Sequence, residues 1–120
     1  MLDQIAEFTA AGPNGARLSL TAVTDFDWDT VRGFSSGMPL SRYQRFLGEA
    51  FTLDDIIKSQ LTDNSSLLIF LKDGQVVRQV VIGPPIFMTE MHGEAWDRTN
   101  AIMAIHTKDP GPYSSIRMVR

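Results

Sequence analysis

Leu67-Leu-Ile-Phe-Leu-Lys-Asp-Gly-Gln-Val-Val-Arg-Gln-Val-Val-Ile82 consists of two β-rich apolar runs meeting at Asp73-Gly74. Asp-Gly is the residue pair a two-residue hairpin favours, because both central positions of a type I′ turn require positive φ. The stretch therefore predicts two antiparallel strands with their turn at 73–74. It makes a β-sheet the centre of the fold.

Upstream, Thr30-Val-Arg-Gly-Phe34 reads as a strand, closed by the turn chemistry of Ser35-Ser-Gly-Met-Pro39. The run before it, Asp25-Phe-Asp-Trp-Asp29, alternates acid with aromatic. Extended as a strand, it would put Phe26 and Trp28 on one face and three carboxylates on the other. Leu40, Tyr43, Phe46 and Leu47 form a helical stripe, with Ser41 as candidate N-cap and Gly48 as the stop. Thr52-Leu-Asp-Asp55 resembles a capping box opening a short helix through Ser59, and Asp63-Asn-Ser-Ser66 turns the chain into the hairpin.

Nearer the N-terminus, Leu2, Ile5, Ala6 and Phe8 share a helical face. Gly12-Pro-Asn-Gly15 ends that helix, and Arg17–Val23 follows as a short extended stretch. Downstream, Gly83-Pro-Pro85 breaks the second hairpin strand, and 86–97 shows no clear period. Asn100-Ala-Ile-Met-Ala-Ile-His106 has the length and apolarity of a central buried strand. After a turn at Lys108–Pro112, Ser115–Val119 is expected as a last strand at a sheet edge. Together these elements predict one α+β domain over residues 1–120. Its expected architecture is a twisted antiparallel sheet of about five strands with two or three helices on one face.

With 43% hydrophobic and 21% charged residues the chain can build a core, which argues against disorder. The absence of cysteine excludes disulfides, thiolate metal sites and cysteine nucleophiles. Met1-Leu-Asp-Gln-Ile-Ala-Glu7 has neither a basic start nor a long apolar run, so no signal peptide is expected and a cytoplasmic location is. No apolar stretch approaches the roughly 18–20 residues of a membrane span. The net charge of −3 is unevenly divided: residues 1–63 hold nine acids and five bases, residues 64–120 five and six. An acidic chain suits a basic protein partner better than nucleic acid, which selects a basic face.

Motifs for chemistry are lacking. His92 and His106 stand apart in sequence, and there is no nucleophile elbow, HExxH pair or Gly-rich phosphate loop, so neither an enzyme nor a cofactor is expected. Asp25, Asp27 and Asp29 lack the glycine and distal glutamate of a calcium loop. They are better suited to a solvated acidic face that receives Arg or Lys from a partner, with Asp54 and Asp55 in the second rank. The stretch Ile86–Trp96 carries Met88, Glu90 and Met91 and is either core or an adaptable interface, since methionine serves both.

The segment order Arg17-Leu-Ser-Leu20, Phe26-Asp-Trp-Asp-Thr-Val-Arg-Gly-Phe34, Phe46-Leu-Gly48 and Leu67–Val77 resembles a group of small bacterial α+β proteins. The group includes immunity proteins of contact-dependent and other polymorphic toxin systems, as well as secreted or lipid-anchored proteins of obscure role. Those relatives tend to carry a Pro-Tyr-rich turn where Ser35-Ser-Gly-Met-Pro39 stands here. The resemblance implies no catalytic residues. It implies an inhibitor that binds a cognate toxin, in many cases a nuclease with a cationic cleft, and covers its active site. The alternative it implies is an exported envelope domain of structural or interaction role, expressed without its leader.

Overall fold

In a computed structural model of the chain, the described residues are 1–62, 64–89, 91–108 and 114–119, with the backbone alone for Thr107 and Lys108. The hairpin forms as the sequence requires. Strand β3 (Ser66–Lys72) pairs antiparallel with β4 (Gln75–Ile82), and the turn residues Asp73 and Gly74 have φ of 51° and 78°. On the other side of β3 lies β2 (Thr30–Ser35), and beyond it β6 (His92–Asp97), so sheet B runs β4-β3-β2-β6.

A second sheet, A, is built from β1 (Arg17–Ser19), β5 (Ile86–Met88), β7 (Ile102–Lys108) and β8 (Ser114–Met118). Its order is β1-β7-β8-β5, and β5 pairs parallel to β8. The expected single sheet of about five strands is thus two sheets of four. The difference arises in 86–97, which yields β5 and β6 although its sequence shows no clear period. These short strands alternate too briefly for the pattern to register, and Gly93 interrupts the second with φ of 96°. The last strand, expected at an edge, lies inside sheet A because β5 returns beside it.

Among the described residues four helices complete the α+β fold: α1 (Leu2–Ala11), the single turn α2 (Leu20–Val23), α3 (Leu40–Leu47) and α4 (Asp55–Gln60). Pro39, not Ser41, is the N-cap of α3, and Asp54, not Thr52, that of α4. Neither cap makes a side-chain hydrogen bond. Gly48 ends α3 with φ of 96°, in keeping with its place after the apolar stripe. In the expected turn Asp63–Ser66, Asn64 has φ of 71° and the Ser65 N–H donates to the Thr62 carbonyl at 3.1 Å, while Asp63 itself and Asp109–Pro112 of the second expected turn lie outside the described residues.

Two cores share sheet B. Between the sheets, Val31, Leu68, Phe70, Val80 and Ile82 meet Met103, Ile105, Ile116 and Met118, with Ile5, Leu20 and Trp28 closing the margins. On the opposite face of sheet B, Phe34, Leu67, Ile69 and Leu71 pack under Tyr43, Phe51 and Ile57 of the helical layer. The unbroken apolar run Leu67–Leu71 follows from this. Even-numbered residues face sheet A and odd-numbered ones face the helices, so every side chain in the run is buried. Each such side chain contributes roughly 1.5–3 kcal/mol by leaving water, which makes β3 the spine of the molecule. No helix among the described residues is long and apolar enough to cross a membrane.

Candidate functional site at the acidic end of sheet B

Asp25–Asp29 is not a strand. It is an irregular lead into β2, held by its aromatics. Phe26 and Trp28 approach Phe70 edge-on with ring centroids 5.1 and 5.0 Å away, and Trp28 is only 1% exposed. The Trp28 indole N–H donates to the Thr24 hydroxyl at 2.9 Å, which satisfies its polar edge on burial. Arg98 stacks 5.3 Å from the Trp28 ring and donates to its carbonyl at 3.1 Å, while Arg78 sits 4.4 Å above Phe26. The aromatic half of the expectation therefore holds without the strand geometry: the rings anchor inward and the carboxylates are left outside.

The three aspartates do three different things. Asp25 is exposed and carries no hydrogen bond or ion pair among the described residues. Asp27 pairs with Lys72 at 3.6 Å, and its side chain is 78% exposed, so the pair contributes little to stability. Asp29 is a brace. Its carboxylate accepts the Asp73 N–H at 3.0 Å and the Thr30 hydroxyl at 3.1 Å. The Asp73 hydrogen bond is the main reason that its carboxyl sits below the usual 3.8.

Strand pairing brings two further acids to the same end. Asp73 is the turn itself, and Asp97 lies opposite Thr30 across the β2–β6 ladder. Asp97 accepts the Thr99 hydroxyl at 2.7 Å and the backbone N–H groups of Thr99 and Asn100, and these bonds lower its pKa, the Thr99 hydroxyl most. Neither residue stands out as a site member in the sequence. Asp73 reads there only as a turn former, and Asp97 becomes a neighbour of Asp29 only through β6, a strand without a sequence signature. The pattern Asp97-Arg-Thr-Asn100, a side chain capping the backbone two and three residues on, is the one available signal.

Asp54 and Asp55 are exposed at the start of α4, on the helical side of sheet B, and no hydrogen bond or ion pair links their side chains to this group among the described residues. The methionine candidates are corrected outright. Met88 is 7% exposed and Met91 fully buried, both in the inter-sheet core, so neither presents an interface. The reason for Met91 is local: its thioether fills the space that a Cβ on Gly33 would need. Glu90 lies outside the described residues. His92 and His106 are exposed on different sheets. Among the described residues no cluster of three His, Asp or Glu side chains is arranged to hold a metal.

Beside the acidic end, β6, at the end of the strand order of sheet B, borders a cleft of about 490 Å³. Glu94, Trp96 and Asp97 form one wall, Ile102 and Val119 the other. Compared with known proteins, the chain matches no family model, no curated protein and no solved structure.

Proposed function

We propose that this domain is a binding protein of the immunity type, which neutralises a basic toxin, a nuclease above all, by covering its active site. The observation that carries the proposal is the gathering of Asp25, Asp27, Asp29, Asp73 and Asp97 at one end of sheet B. A cleft built to attract phosphate is cationic, and an acidic surface supported by a rigid sheet competes for it through the same field. Asp25, exposed, and Asp27, which is 78% exposed and holds only the weak surface pair with Lys72, are the members that can turn toward a partner. Asp29 and Asp97 already spend their hydrogen-bonding capacity on the fold and contribute charge alone.

The experiment is a pull-down from the native host with the wild-type chain and with an Asp25→Asn/Asp27→Asn variant. The captured fraction is identified by mass spectrometry and assayed for nuclease activity after release in high salt. The expected result is a basic protein whose activity appears on release and whose capture falls in the variant. Capture of the same proteins by both chains, with no latent activity, would overturn the proposal.

A further inference from the structure

The outer face of sheet A is chemically distinct from the rest of this acidic molecule. The four strands that make it contain no Asp or Glu. Met103, Ile105, Ile116 and Met118 point into the inter-sheet core, so the alternate residues Ala104 and Arg117 face outward. Register aligns Arg17 with Ala104 and Ala104 with Arg117, which places the two arginines in one row on either side of a small residue. Strand spacing sets their Cα atoms roughly 10 Å apart. Both are exposed, and His106, at the bulge of β7, is exposed as well.

The arginines of sheet B and its margin are occupied. Arg32 donates to the Gly93 carbonyl and stacks on Phe46, Arg78 covers Phe26, and Arg98 covers Trp28. Among the described residues, neither the Arg17 nor the Arg117 guanidinium has a hydrogen bond, ion pair or ring contact. Two unengaged planar forks over a shallow alanine floor suit carboxylates, which guanidinium groups bind in bidentate fashion.

We propose that this row, Arg17–Ala104–Arg117, is a docking face for an acidic segment of a partner protein, whose carboxylates are taken by the two guanidinium groups. Charge complementarity selects an anionic occupant. A short acidic peptide fits better than a nucleic acid, because the row supplies only two arginines, whereas binding a polyphosphate draws on a longer basic face. The docking face is independent of the acidic end and stands or falls without it.

The test is an amide-resolved NMR titration of the whole chain with poly-L-glutamate at low salt. Parallel titrations use oligo-dT and phosphatidylglycerol vesicles. Shifts should centre on Arg17, Ala104 and Arg117, and Arg17→Gln/Arg117→Gln should weaken poly-L-glutamate binding about tenfold or more. Arg42→Gln/Arg45→Gln, an equal change of charge on α3, should leave it within about twofold. Shifts centred elsewhere, or equal weakening by both variant pairs, would overturn the proposal. So would oligo-dT or vesicles occupying the row more tightly than poly-L-glutamate.

Discussion

The carboxylate of Asp29 accepts the backbone N–H of Asp73 at 3.0 Å, across 44 residues of sequence. Through this bond the segment that carries the acidic face is fastened to the turn of the central hairpin. The bond favours the ionised form of Asp29, whose pKa is lowered in the folded chain. Its contribution to stability is therefore complete above the unfolded value of 3.8 and is lost as the pH falls below it. In urea titrations from about pH 6 to about pH 3, the midpoint of wild type should fall more steeply at the acid end than that of Asp29→Asn. Parallel curves would show that the bond does not favour the charged form.

Gly74 supplies the second positive φ of the hairpin turn. A β-branched residue there meets its own backbone, so Gly74→Val should cost on the order of 1–2 kcal/mol. The surroundings are open, with no other atom within 4 Å of where a Cβ would stand, so the cost is conformational rather than a clash. An unfolding midpoint equal to that of wild type would contradict the turn assignment.

Trp28 is the main inward anchor of the acidic segment. Its truncation to Ala should cost roughly 3–5 kcal/mol. In a Trp96→Phe background, the emission of Trp28 should be blue-shifted relative to free tryptophan, since the ring is 1% exposed. Emission as red as the free amino acid would mean that the ring lies in water.

Gly33 and Met91 are predicted to be coupled. A Cβ at residue 33 would collide with the Met91 thioether, so Gly33→Ala should destabilise by about 1–3 kcal/mol through overpacking. Adding Met91→Ala to that variant should cost less than Met91→Ala costs alone. Additive effects in the double-mutant cycle would show that the two sites do not touch.

Where the chain announces its structure, it does so through strong local chemistry. Asp73-Gly74 permits little but a tight hairpin, and Gly48 accepts the positive φ that stops α3. Trp28 between aspartates is legible as an anchor because its size makes exposure costly. Sheet A is hidden for a physical reason. Its strands β1 and β5 are three residues each, and what makes them strands is long-range pairing with β7 and β8. The acidic site is half legible for the same reason. Asp25, Asp27 and Asp29 are adjacent in sequence, whereas Asp73 and Asp97 arrive through the β3–β4 turn and the β2–β6 ladder.

The central claim is that the exposed carboxylates of the acidic end steer a basic partner. It is tested most directly by the association rate constant of the captured partner, measured against salt for wild type and for Asp25→Asn/Asp27→Asn. Exposed charges are screened beyond about 8–10 Å at physiological ionic strength, so the wild-type rate should fall as salt rises. The variant should associate more slowly at low salt, show a shallower salt dependence and keep its thermal midpoint, because neither side chain braces the fold. Association rates that ignore both salt and the two replacements would contradict the claim.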